Sequence, residues 1–484
     1  MRGKAGLFSR FVVPAVIAFD GSDGDAINVG GGTRSGTVTY TGAGHTTSRV
    51  FKLAGTSGGA TFDSSGTGPL VVTQAFTYTT GAKTLTMTGS NTGANSVGVI
   101  ANAGGQPISV VKSGAGTWQF SATSSYAGQT TILSGTALAA DDAPSDGNGV
   151  FGYSSSGGLG SGSAVTVLGD DAADSSGSAS LLLDQGALFG RLVTIPALGT
   201  GGVQTVIVGG ANTSGTTRFQ SAMTFYVNRD VVLRAATGGT CEFANGWLGG
   251  VPGDVGGVAA SITVGSSGNT GTVLVSGNLS TSGVITLAYG TLKVTGTIAS
   301  TDEIVVDGTG AVLVYNGAAE LLSSLTLTQG TLSGSSEIAT AVTAGANATL
   351  SPGDPVGSQA FSAGLTLASG GTYRWQINNW TGSAGSGFAQ LVVSGDDLSI
   401  TATSGSTFTI KLVGLTSGNV SGAVPNFDNT TSKSFTIATA GTLAGFASNK
   451  FTIDASEFTN NNDLDGGTWT LSDSGDDIVL TFTP

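Results

Sequence analysis

From Gly271 the chain repeats itself at an almost constant step. Segments reading GTVLVSGNLSTSGVITLAY, GTLKVTGTIASTDEIVVDGT, GAVLVYNGAAELLSSLTLTQ and GTLSGSSEIATAVTAGANA open at Gly271, Gly290, Gly310 and Gly330, spaced by 19, 20 and 20 residues. A fixed step of this length is the mark of stacked coils. After each opening the positions alternate, which sets Val273 and Val275, Leu292 and Val294, and Val312 and Val314 on one face, with Leu274, Lys293 and Leu313 between them. A second alternating pair follows: Ile285 with Leu287, Ile304 with Val306, Leu325 with Leu327. Leu279, Ile298, Ala318 and Ile338 each stand eight residues after their opening Gly and read as a third inward position.

Three short strands per coil, turned at Gly, Ser, Asn and Asp corners, specify an all-β chain wound as a right-handed parallel β-helix, or β-solenoid. One such coil is not stable alone, because its few apolar side chains do not offset the entropy of ordering about 20 residues. Stacked about 4.8 Å apart, coils pair their backbones with both neighbours and share an apolar column.

Composition closes off other classes. Glycine accounts for 81 of 484 residues and Asp, Glu, Lys and Arg for only 10%, whereas an ordinary helical or α/β scaffold carries about 25% charged residues. Apolar residues make up 39%, in short alternating runs, which excludes a disordered chain. Ten prolines cannot support a collagen repeat. A set of β-sandwiches competes, since it too places turn signals about every 8–12 residues; the regular step favours the solenoid. Residues 26 to 110 alternate in runs such as GTVTYTG, VFKLAG and KTLTMTGS but hold no fixed period.

Seventeen Lys and Arg stand against 30 Asp and Glu, a net charge of −13, and that sign argues against a nucleic-acid partner. Of the acids 25 are Asp and five Glu, a bias toward turns rather than helix surfaces. Cys241, the single cysteine, cannot close an intrachain disulfide.

The expected organisation has three parts. Residues 1–25 are leader-like or a frayed first segment: Arg2 and Lys4 precede an apolar stretch from Phe11 to Phe19, which Arg10 and Pro14 interrupt. No run is long enough to span a bilayer, so no membrane span is expected. Residues 26–350 form the solenoid, including the ~20-residue coils of 271–348. Residues 351–484 hold 13 of the 34 aromatic residues and read as a C-terminal β cap or small β-sandwich after a break at Ser351 to Ser358.

Residues 111–138 read VVKSGAGTWQFSATSSYAGQTTILSGTAL when begun one valine earlier. Gly114, Gly116, Thr117, Trp118, Ser121, Tyr126, Gly128, Thr130, Ile132, Gly135 and Leu138 match the pattern K-x-G-x-G-T-W/L-x-L-S-G-x-N-x-Y-x-G-x-T-x-V/I-x-x-G-T-L. The segment resembles the autotransporter-associated β-strand repeat, also called the passenger-associated repeat. Ser124 stands where that pattern has Asn, and Ala137 is inserted before Leu138. Alternation agrees with the resemblance: Trp118 and Phe120 share one face, with Gln119 on the other, and Thr130 and Ile132 repeat the pattern after a turn at Ala127 to Gly128. The resemblance implies a β-helical passenger-type region of an exported surface protein, and no reaction. A translocator barrel is not expected in the last 134 residues, which carry Gly, Asn and Asp throughout.

Parallel β-helices also carry polysaccharide-degrading enzymes, so the residues must be weighed. Those resembling polygalacturonases use a Gly-Asp-Asp motif with a Gly-His-Gly. Gly169-Asp170-Asp171, Gly395-Asp396-Asp397 and Gly475-Asp476-Asp477 match the first, but the one histidine, His45, stands in Gly44-His45-Thr46. Gly-Asp-Asp reads more simply as a solvated turn, and His45 as an exposed loop residue. Cys241 reads as a small buried residue, with no second histidine to activate it. Asn461, Asp463, Asp465 and Gly466 have the 1, 3, 5, 6 spacing of a calcium loop, with Ser472 where a bidentate Glu belongs. Asp20, Asp23 and Asp25 form another acidic group. Trp247, Trp375 and Trp380 offer a sugar-stacking platform, although Tyr373, Trp375 and Ile377 alternate as core residues do.

These observations specify an extracellular or cell-surface structural or adhesive β-solenoid, with a surface glycan or protein ligand, or another copy of itself, as partner. A carbohydrate-active β-helix enzyme and an appendage or fibre subunit are the alternatives.

Overall fold

In the computed structural model the described residues are 11–13, 26–140, 158–161, 166–170, 177–184, 186–197, 204–225, 229–249, 260–300 and 302–484. The leader-like stretch, Asp20, Asp23 and Asp25 fall outside them, apart from the short strand Phe11–Val13. The chain divides into two compact units, residues 1–261 and 262–484.

In the first unit the backbone visits three strand positions in turn and then climbs one rung. Strands Ile27–Gly32, Gly36–Tyr40 and Ala43–Thr47 form one circuit; Phe51–Gly55, Ala60–Ser64 and Gly68–Val72 form the next, each parallel to its predecessor. Val38 lies opposite Phe62, and Phe62 opposite Met87, steps of 24 and 25 residues. Residues 26 to 110 thus wind with a period longer than the later coils. The step shortens at the passenger-type repeat, where Val110 lies opposite Thr130 and Trp118 opposite Ala137.

The alternation of small and β-branched residues outside with large apolar ones inside makes these segments strands. Val38, Phe62, Met87, Ile132 and Leu168 form one buried inward column. Rings meet within and between rungs: Phe51 edge-on to Phe62 at 5.0 Å, Phe62 to Phe76 at 5.3 Å and Phe189 to Phe219 at 5.6 Å, while Phe219 and Phe243 stack in successive rungs at 5.1 Å. Identical faces at the rung spacing suit such aromatic ladders.

The second unit winds the same way. Val273, Leu292, Leu313, Leu332, Leu350, Tyr373 and Ile410 follow one another in register, all buried. Ile285, Ile304 and Leu325, with Leu287, Val306 and Leu327, form the second column.

Two sequence expectations are corrected here. By register Val312 and Val314 lie on the outer face, Val314 buried there all the same, and Leu313 and Tyr315 take the inward places opposite Leu292 and Val294. This coil is one residue longer than the 20-residue step read from the sequence, 21 from Leu292 to Leu313, and a shift of one residue turns every side chain to the other face. Ala318 is exposed, and the third inward position belongs to Leu321, which bridges to Ile338.

The change of character placed at residue 351 comes later. Residue 351 lies inside strand Ala348–Pro352, whose parallel ladder continues to Thr372–Ile377, Phe408–Gly414 and Phe451–Asp454. Parallel winding gives way only where Asp477–Thr483 pairs antiparallel with Lys433–Ala444 and with Thr468–Ser474. A hairpin can reverse the chain in two residues, whereas parallel neighbours need a full crossover. Around this hairpin Trp375, Trp380, Phe388, Phe435, Phe458, Trp469 and Phe482 form a continuous ring cluster. Among the described residues no helix is long and apolar enough to cross a membrane.

Candidate functional site

The coil built from residues 108–139 shows why its residue types recur at that spacing. In Ile108–Lys112 the inward residues are Ile108, Val110 and Lys112, so a lysine occupies a core column between Met87 and Ile132. Its ammonium curls to the corner and donates to the carbonyls of Ser113, Gly114 and Ser134 at 2.7, 2.8 and 2.9 Å. Burial pushes this ammonium down to about 7 from its ordinary value. Gly135 closes the corner in the left-handed region at φ +69°, where a Cβ would stand 2.3 Å from the Gly114 carbonyl oxygen.

Trp118 and Phe120 face inward, as the alternation predicts, and the Trp118 indole donates to the Thr88 carbonyl at 2.9 Å. The Tyr126 hydroxyl meets Thr130 Oγ1 at 2.7 Å, with the Arg191 guanidinium over its ring at 6.0 Å. Ser124, which stands where the repeat pattern has Asn, is buried and accepts from the Ile100 amide. The inserted Ala137 takes the inward place under Trp118, which turns Leu138 outward.

Polar residues that the sequence reading did not single out hold the neighbouring corners. Asn95, fully buried, accepts from Ser64 Oγ and the Leu70 amide and donates to the Thr117 carbonyl, tying three rungs. The Arg229 guanidinium donates to the carbonyls of Pro196 and Asp170 at 3.0 and 2.8 Å. Neither was legible, because a polar residue in or beside an alternating strand looks the same whether it points out or in.

The Gly-Asp-Asp motifs are dispersed. Asp170 uses its backbone at a corner, donating its amide to Gln204 Oε1 at 2.7 Å and accepting from Arg229; Asp171 lies outside the described residues. Gly395 and Asp396 are not in a turn but within strand Gln390–Ile400, where the register shifts between Val393 and Asp397. Gly475 and Asp476 do form a turn, the tip of the terminal hairpin, with Gly475 at φ +67°. His45 is half-buried within strand Ala43–Thr47, opposite Leu70, rather than in a loop, because its segment alternates and pairs with the next rung. Cys241 is fully buried, and burial pushes its thiol up to about 12, which keeps it unreactive.

Trp375 and Trp380 are buried in the ring cluster and present no platform, and the Trp247 side chain lies outside the description. At the calcium-type spacing Asp463 Oδ1 accepts from the Asp465 amide at 3.0 Å. Between the three residues Asn462 is buried and holds the Val424 amide and the Phe458 carbonyl, while Asn461 and Asp463 are exposed. Among the described residues no group of three His, Cys, Asp or Glu side chains is placed to hold a metal ion.

A known family falls on this coil. The model of the passenger-associated-transport-repeat family matches residues 110–136. The adhesin BmaC autotransporter of Brucella suis biovar 1 (strain 1330) is 36% identical over 107 residues, 21% of this chain. That alignment spans 3% of the length of the adhesin. The buried Lys112, Trp118 and Tyr126 and the close corner at Gly135 are thus the residues of a known repeat seen in place, and the chain is a parallel β-helical protein that carries a passenger-associated-transport repeat at residues 110–136.

Proposed function

We propose that this protein is a secreted or cell-surface β-solenoid whose role is structural and adhesive, without catalysis. The observation that carries this reading is the repeat at 110–136. Its Trp, Tyr and Lys are committed to the core and to corner hydrogen bonds, so the coil offers the outside a surface rather than a reacting group. The similarity to an autotransporter adhesin supports the same reading and an extracellular or cell-surface location. A net charge of −13 opposes nucleic acid, and a surface glycan or protein is the partner that fits. The reading needs no cofactor; a calcium ion at Asn461, Asp463 and Asp465 would be structural.

The test is adherence of beads coated with the full chain to host-cell and glycan surfaces, with reducing ends assayed in the same wells. Saturable adherence without release of reducing ends is expected, unchanged by Asp170→Asn and Asp396→Asn. Release of reducing sugar that either substitution abolishes would overturn the reading in favour of a glycan-degrading enzyme. Mass growth with concentration in light scattering, without adherence, would make the chain a fibre subunit.

A further inference from the structure

The outer surface of the first unit holds a groove of about 390 Å³ that crosses consecutive rungs of one parallel sheet. Strands Gly36–Tyr40, Ala60–Ser64, Lys83–Thr88 and Ile108–Lys112 make these rungs. Val38, Phe62, Leu85, Met87 and Val110 fill the inside, so the alternate residues line the outside. Ser35, Thr61, Thr84, Thr86 and Ser109 border the groove. Register sets Thr61 opposite Thr86 and Thr84 opposite Ser109. Their hydroxyls therefore stand in rows about 4.8 Å apart across rungs and about 7 Å apart along a strand.

Among the described residues the hydroxyls of Thr61, Thr84, Thr86 and Ser109 have no hydrogen-bond partner, and the backbone beneath them is engaged in the ladder. The one cation of the lining, Lys83, turns its ammonium to the carbonyls of Thr79 and Gly81 at 2.5 and 2.7 Å. No carboxylate and no aromatic ring lines the groove among the described residues. An anion would find no free positive charge here, a peptide would find neither a free strand edge nor an apolar socket for an anchor side chain, and a cation would find no carboxylate. What the groove does offer is an uncharged array of donors and acceptors in a space of the size that holds small ligands.

We propose that this groove is the contact site for a short neutral oligosaccharide lying across the rungs, its hydroxyls exchanging hydrogen bonds with the threonine and serine rows. The proposal rests on the adhesive reading and supplies its ligand class.

Binding of the full chain to immobilised neutral oligosaccharides and to their sialylated and sulfated counterparts tests it. Three proteins are compared: the parent, the doubly substituted Thr84→Val and Thr86→Val chain, and Thr286→Val in the second unit. Valine keeps the β-branched shape and removes only the hydroxyl. The parent and Thr286→Val are expected to bind neutral glycans, and the double variant to bind at least about tenfold more weakly with its melting temperature unchanged. A double Thr84→Ser and Thr86→Ser chain, which restores the hydroxyls, should recover binding. Equal binding by the valine variant, preference for the acidic glycans, or no glycan binding by the parent would each overturn the proposal. Bead adherence measured alongside separates the two readings: adherence that persists in those cases leaves the adhesive role standing without this groove, and loss of adherence by the parent removes both.

Discussion

Lys112 sits in an apolar column yet remains a hydrogen-bond donor, because three carbonyls of a tight corner converge on its ammonium. The sequence reading placed the glycines of this corner but not the lysine, since a charged residue at the end of a strand reads as solvated. Its burial has a pH consequence whose sign is definite. Folded Lys112 titrates at about 7, below the ordinary lysine value of 10.5, so between those two values the unfolded chain binds more protons than the folded one. Stability therefore rises with pH through that window. Urea midpoints at pH 6.5 and pH 9.5 are expected to show this rise in the parent and a smaller rise in Lys112→Met; equal rises would remove the role assigned to the lysine. Gly135 tests the same corner from the other side. Gly135→Ala combines a left-handed backbone, which costs about 1–2 kcal/mol, with overlap on the Gly114 carbonyl, which adds about 1–3 kcal/mol. Gly105→Ala, left-handed at φ +81° but with open space around its Cβ, meets only the first cost. Denaturant titration should rank Gly135→Ala well below Gly105→Ala, and the reverse order would mean that the corner is looser than described.

Elements were legible where their period held. The second-unit columns Ile285, Ile304, Leu325 and Leu287, Val306, Leu327 are those the alternation predicts, because the steps between them preserve parity on each face. Reading failed where a corner took in residues: one extra before Leu313 reversed the faces of Val312 and Leu313, and the longer corner before Leu321 displaced Ala318. Insertions at corners cost little in a solenoid, so they leave no local signal. The period of 24–25 residues in the first unit was hidden for a related reason. Its inward column changes type from Val38 to Phe62 to Met87 to Lys112, and a search for like residues finds no match. The corrected register is directly testable. Leu313→Ala should cost about 2–5 kcal/mol, as an emptied core site does, and Val312→Ala under about 1 kcal/mol; urea denaturation with the opposite ranking would restore the uncorrected phase. For the turn at Asn461, Asp463 and Asp465, one carboxylate oxygen already serves the Asp465 amide. EDTA is expected to leave the melting temperature unchanged, and a fall reversed by calcium would assign these residues a ligand role.

At the scale of the whole molecule, function follows from what winding does to a sequence rich in small polar residues. Coiling sends Leu, Ile, Val and Phe inward and leaves Thr and Ser in rows on the outer faces, over a backbone already bonded to its neighbours. Such a surface is repetitive and rich in hydroxyls, which is the basis of the proposed adhesive role. The Gly-Asp-Asp motifs fall in different settings: Asp170 at a corner, Asp396 and Asp397 in an irregular strand, and Asp476 at a hairpin tip. Each of these inferences depends on the passenger-type repeat being one coil of a parallel stack in the stated register. Val111 and Thr131, both outward, lie directly opposite each other in adjacent parallel rungs, at a Cα separation of about 4.8 Å that a disulfide can bridge. The most direct measurement is therefore mass-spectrometric mapping of the full chain carrying Val111→Cys and Thr131→Cys in a Cys241→Ser background after mild oxidation. The account predicts near-complete cross-linking of residues 111 and 131, with none for a Ser109→Cys and Thr131→Cys pair. Free thiols at 111 and 131, or cross-linking of the displaced pair instead, would contradict it.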